Sequence, residues 1–214
     1  MKFTNHKQKI KMKKLLLMLP ILAITGIASA QTEGFSKGSI FASGNVGFSS
    51  QKEPAGTDDD KTTSFTFNPR IGYFITSNIA LGVNLGISSS KFTDNDSEDK
   101  YTMTTFGAFG RYYFTPANKF SMFLNLGFDY QSSKNVFKQD GVPDDVESKE
   151  NGFGIGLAPG FNYFISKRLA LESSIGILGF SSMKPDVDGA KATTNFSLFG
   201  GMSDISVGLV FKLN

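Results

Sequence analysis

Apolar residues recur at every second position over successive stretches of ten or more residues, from Ser39 almost to the C-terminus. A period of two belongs to a β-strand with one face in an apolar medium and the other in a polar one. The pattern is clear in 63–74, where Phe65, Phe67, Pro69, Ile71 and Tyr73 alternate with Ser64, Thr66, Asn68, Arg70 and Gly72. It is equally clear in 120–131, where Phe120, Met122, Leu124, Leu126, Phe128 and Tyr130 form one face. Three times a strand ends on an aromatic pair, a short polar turn follows, and a second alternating strand begins. The pairs are Tyr73-Phe74, Tyr113-Phe114 and Tyr163-Phe164.

Read along the chain, the pattern predicts eight strands, over about 39–50, 63–74, 79–90, 101–114, 120–131, 151–164 and 169–180, with the last reaching the C-terminus. Each is about as long as a tilted strand needs to cross a bilayer. Leu81, Val83, Leu85 and Ile87 are expected outside, with Gly82, Asn84, Gly86 and Ser88 inside. In the seventh strand Leu169, Leu171, Ile175 and Ile177 are expected outside. In the last, Ile205, Val207, Leu209, Phe211 and Leu213 face out, and Asp204, Ser206, Gly208, Val210 and Lys212 face in. An even strand number lets the first and last pair antiparallel, so that no edge is left open. The predicted fold is all-β, an eight-stranded antiparallel up-and-down transmembrane β-barrel.

The fourth strand alternates least cleanly. Aligning Tyr113 with Tyr73 and Tyr163 puts Tyr101, Met103, Phe109 and Tyr113 outside. Strict alternation then points Arg111 outward, to snorkel toward the interface; a bulge would turn it inward. All six tyrosines (Tyr73, Tyr101, Tyr112, Tyr113, Tyr130 and Tyr163) fall near predicted strand ends. A ring with an apolar body and a polar tip favours the membrane–water boundary, so they are expected to form an aromatic girdle.

Charge sorts along the same lines. Four long loops carry 15 of the 19 acidic residues together with nine Lys, while the short turns carry Lys119, Lys167 and Arg168. The first 30 residues stand apart. Six Lys precede the 14-residue apolar stretch Leu15–Ala28, and Ala28-Ser29-Ala30 fits a small-residue cleavage site, so residues 1–30 read as a cleaved signal peptide. Residues 31–214 read as the barrel domain. Cleavage leaves 16 basic and 19 acidic residues, a net charge of −3, so the basic balance of the full chain is no argument for nucleic-acid binding. With no Cys there is no disulfide framework, thiol chemistry or lipoprotein anchor. The 23 Gly suit a narrow lumen and the 22 Phe suit a lipid face.

The signal peptide, the eight strands and the IGYFI and RYYF segments together resemble the porin-like outer-membrane β-barrel family of Gram-negative bacteria, and within it the small OmpA/OmpX-type barrels. The resemblance covers essentially all of 38–214. It implies integral location in the outer membrane of the cell envelope, contact with outer-membrane lipid and lipopolysaccharide, and insertion by the barrel-assembly machinery. Such barrels usually end on an aromatic residue; here the tail is VFKLN, with Phe211 fourth from the end.

Chemistry is sparse. Barrels with enzymatic activity rely on histidine as base, and the one histidine, His6, lies in the leader. No catalytic residue, cofactor site or metal site is expected. The acidic runs Thr57–Lys61 and Thr93–Lys100 offer clustered oxygen ligands, but the second lacks the central Gly and distal Glu of a calcium loop, and both read as solvated loops. Arg70 and Glu172 both fall on the lumen face near the short-turn end, where an unpaired charge is costly, so they are expected to form a structural polar network plugging the lumen. Eight strands enclose only enough width for side chains to fill. The expected role is therefore structural or surface-interaction: a monomeric barrel displaying four hydrophilic loops to an extracellular partner. The alternative is a narrow pore or a carrier for small, including hydrophobic, molecules. A soluble up-and-down barrel would instead place the apolar residues inside.

Overall fold

The computed structural model describes residues 34–55, 58–94, 97–142, 145–198 and 205–214. The predicted signal peptide, His6, Asp96, Asp144 and Asp204 lie outside them. Ten strand segments follow one another: β1 Ile40–Ala55, β2 Asp58–Phe74, β3 Ile79–Thr93, β4 Ser97–Tyr113, β5 Phe120–Gln139, β6 Val146–Phe164, β7 Leu169–Ile175, β8 Leu178–Pro185, β9 Thr193–Leu198 and β10 Ile205–Lys212. Every pairing between them is antiparallel, and neighbours in sequence pair from β1 through β7. Segments β7 and β8 run along the same strand β6, and β9 and β10 continue a last stave beside them, giving eight staves. The barrel closes where Phe41–Gly44 of β1 pairs with Lys212–Leu209 of β10. The Asn214 side chain fastens that seam, accepting from the Ile40 amide at 2.6 Å and donating to the Gly38 carbonyl at 3.0 Å.

Sidedness follows the alternation. Leu81, Leu85, Phe128 and Ile155 are 43–55% exposed on the outer face, beside Leu126, Val83 and Ile87. The buried cluster inside consists instead of Phe35, Phe41, Phe74, Phe109, Tyr113, Phe123 and Phe164 with Ala80, Ala170 and Val210. A continuous apolar outer surface of this extent is unsuited to water and suited to hydrocarbon. The fold is thus a closed eight-stranded antiparallel barrel with its greasy face outward.

Three expectations are corrected. First, β4 is shifted by one position. Tyr113 and Phe109 are buried in the lumen, while Phe106, Tyr112 and Phe114 are exposed. The β3–β4 and β4–β5 registers run without interruption, so no bulge is involved. The repeat pairs Tyr112-Tyr113 with Tyr73-Phe74 and Tyr163-Phe164: the first ring of each faces out, the second in. Tyr113 therefore leaves the girdle, and Arg111 points inward. Tyr101 pairs with Ser90 on the lumen side and is 39% exposed at the long-loop end. The exposed outer-face tyrosines are Tyr73, Tyr112, Tyr130 and Tyr163.

Second, the seventh stave does not alternate through 169–180. Gly160 pairs with Ser174 but Leu157 pairs with Leu178, so three residues, 175–177, oppose the two residues 158–159. One surplus residue makes a β-bulge. Beyond it the phase flips, and Leu178 and Phe180 are exposed in place of Ile177.

Third, much of what reads as loop is strand. β5 has 20 residues, roughly 65 Å at about 3.4 Å per residue, more than an apolar band about 25 Å tall requires even when tilted. The β5–β6 hairpin extends past that band on cross-strand ion pairs, Lys134–Glu147 at 2.5 Å and Lys138–Asp145 at 2.8 Å. The hydrogen bond that Lys138 donates to the Asp145 carboxylate also holds the ammonium above its ordinary pKa. Lys91 and Glu98 pair likewise across β3–β4, at 2.6 Å.

Candidate functional site

Among the described residues the lumen gathers the buried polar groups, and it is built in layers from the short-turn end. The lowest layer is aromatic. The segment before β1 crosses the mouth and inserts Phe35, whose ring centroid lies 4.8–5.5 Å from those of Phe41, Phe74, Tyr113 and Phe164. The segment is tied down by the Phe35 amide donating to the Pro116 carbonyl at 2.6 Å and by Lys212 Nζ donating to the Gly34 carbonyl at 2.7 Å. Gly34 makes the turn possible. Its φ is +98°, a region that disfavours side chains, and a Cβ there would meet the Ala117 backbone at 2.5 Å.

Above the rings lies an ionic layer. Arg111, with a fully buried side chain, donates from Nη1 to Glu172 Oε2 at 2.6 Å and from Nη2 to Oε1 at 3.3 Å. Its remaining donors reach Tyr113 Oη at 3.1 Å and Asn125 Oδ1 at 3.2 Å. The guanidinium carbon sits 3.9 Å from the centroid of the Phe123 ring, a cation–π contact. Arg70 joins from the open side at a longer 3.5 Å to Glu172 Oε1. The structure thus brings Arg70 and Glu172 together as the alternation places them, but the tighter partner of Glu172 is Arg111. The signal that could have found it was the parity of Tyr112, had that ring rather than Tyr113 been matched to Tyr73.

Tyr113 serves both layers, its ring among the aromatics and its hydroxyl accepting from Arg111 and from Asn162 Nδ2 at 3.3 Å. Tyr113→Phe is therefore expected to destabilise the barrel by about 1–3 kcal/mol, since two buried donors lose their acceptor. The urea midpoint of the folded electrophoretic band reads this, and an unchanged midpoint would show that water replaces the hydroxyl. A third layer is sparser: Asn84 Nδ2 donates to Asp129 Oδ1 at 2.7 Å. Among the described residues, no group of three or more His, Cys, Asp or Glu is placed to hold a metal ion.

A barrel whose outside is apolar and whose inside is polar and packed has relatives. A family model described as the outer membrane protein β-barrel domain matches residues 16–211. The chain belongs to this family. Its members are integral to the outer membrane, and so is this barrel. Among solved structures, the chain is similar to the outer membrane protein OprG of Pseudomonas aeruginosa, at 13% identity and a TM-score of 0.44, covering 85% of this chain and 98% of that one. It is also similar to the translocator domain of the autotransporter NalP of Neisseria meningitidis, at 17% identity and 0.47, covering 94% and 75%. Ail, the attachment invasion locus protein of Yersinia pestis, matches at 15% identity and 0.44, covering 85% and 99%. No match among curated protein sequences was found.

Proposed function

We propose that this outer-membrane β-barrel protein is a non-catalytic scaffold whose hairpins, reaching beyond the apolar band, present polar strands and loops to an extracellular partner. One observation carries this reading: the short-turn half of the lumen is occupied by side chains. Arg111, Tyr113, Phe35, Phe41, Phe74, Phe123 and Phe164 are each less than 2% exposed. A barrel stoppered by rings and a bidentate ion pair is suited to holding strands rigid and unsuited to passing solutes. The protein reaches its site through cleavage of residues 1–30 and insertion by the barrel-assembly machinery. It acts as a monomer seated among phospholipid and lipopolysaccharide, with Tyr73, Tyr112, Tyr130 and Tyr163 at the membrane boundaries. Planar-bilayer recording with the purified protein is expected to show no discrete openings. Reproducible unit steps would instead favour a narrow pore or carrier.

A further inference from the structure

On the long-loop side of the ionic layer the wall of the lumen is hollowed. Gly154 and Gly156 of β6 and Gly179 of β8 lie side by side there, because Gly156 pairs with Gly179 across the two strands. Three adjacent positions without side chains leave room for a cavity of about 220 Å³, into which the Gln131 amide leans over Gly154 and the Ser197 hydroxyl over Gly179. Polar side chains surround it: Asp129 and Gln131 from β5, Ser181 from β8, and Asn195 and Ser197 from β9. Among the described residues, Gln131, Ser181, Asn195 and Ser197 have no side-chain hydrogen-bond partner, and Asp129 is bonded only through Oδ1. Amide, hydroxyl and carboxylate groups thus face one space.

Charge narrows what fits. Asp129 is the one charged residue among those lining the hollow, and its Oδ1 is already held by the Asn84 amide. An ion of either sign gains little there. A ligand rich in hydroxyls gains more, since each hydroxyl both donates and accepts and the planar amides of Gln131 and Asn195 can each bond two neighbouring groups. The volume lies below the range of drug-sized pockets, which suits a single ring, with the open backbone of Gly156 between the Gln131 amide and the Ser197 hydroxyl.

We infer that this hollow is a binding site for one neutral sugar unit, reached from the long-loop end. The inference goes beyond the display role and does not depend on it, because a barrel found to conduct would still contain the hollow. The test is calorimetric titration of the purified, detergent-solubilised protein with methyl glycosides of neutral hexoses, 6-deoxyhexoses and N-acetylhexosamines, with acetate and methylammonium as charged controls. At least one glycoside is expected to bind saturably with a dissociation constant of about 1 mM or tighter, little changed by added salt.

Gly156→Val supplies the blocking variant. The atom nearest a Cβ there is the Leu178 carbonyl oxygen at 3.7 Å, so the side chain enters the hollow without striking the wall. It is expected to weaken binding at least tenfold while the folded electrophoretic band persists. Should that variant fail to fold, Asn195→Ala on the exposed β9 is expected to weaken binding several-fold. Absence of binding across the neutral panel would overturn the proposal. So would a charged control that binds in a salt-sensitive way instead, or a folded Gly156→Val or Asn195→Ala protein with undiminished affinity.

Discussion

Replacing Glu172 with glutamine is expected to cost the barrel about 3–5 kcal/mol of stability, the penalty for stranding a buried charge. Arg111 has no solvent to fall back on: its side chain is 0% exposed and Glu172 supplies both of its short ionic bonds. Arg70 is expected to suffer less, because a quarter of its side chain already meets solvent. The readout is the urea midpoint of the heat-modifiable folded band in detergent micelles. Removing both charges, as Glu172→Met with Arg111→Met, is expected to recover much of the loss, since what destabilises is the unpaired ion rather than the missing attraction. A single variant with a wild-type midpoint would mean that water reaches Arg111 and that the ionic layer does not seal the lumen.

Truncating Phe35 to alanine is expected to have a comparable effect through packing, about 3–5 kcal/mol for removing a buried ring. The loss is local in its consequences. Phe35 anchors the segment before β1, so residues 34–39 are expected to become far more sensitive to protease while the staves remain folded. Gly34→Ala is expected to act in the same direction by straining the turn that delivers the ring. Neither change opens a path, because Arg111 and Glu172 still close the lumen behind the ring. Membranes containing the Phe35→Ala protein should therefore stay electrically silent. Wild-type protease resistance would show that the Lys212 and Pro116 contacts hold the segment without the ring.

Strands with a strict apolar face were legible because only one face of a barrel meets lipid, and a single slip would turn every side chain over. Hence β2, β3, β5 and β6 have the faces that the alternation assigns. β4 misled because its aromatic residues occupy both parities, Phe106, Tyr112 and Phe114 outside, Phe109 and Tyr113 inside. Hydrophobicity alone cannot tell a ring that meets lipid from one that packs beneath an arginine. Phe35 left no periodic trace, since it lies in a short connection and its burial depends on rings up to 129 residues away in sequence. The strand extensions were hidden for the opposite reason. Where both faces meet water, apolar alternation stops, and pairing is carried by contacts such as Lys91–Glu98 and Lys134–Glu147. The polar pair Arg70 and Glu172 could be placed from parity, but not the arginine that binds Glu172 more closely.

The surplus residue at 175–177 works as a phase shifter. Upstream of it, odd-numbered Leu169 and Leu171 look toward lipid; downstream, the duty passes to even-numbered Leu178 and Phe180, and Gly179 and Ser181 turn inward. Had the stave kept step with β6 throughout, leucine and phenylalanine would occupy the cylinder where the recess now lies. A lineage that dropped one of those three residues would still hold Leu178 opposite Leu157 and keep the recess, whereas one that ironed the extra residue into regular ladder would fill it with greasy side chains.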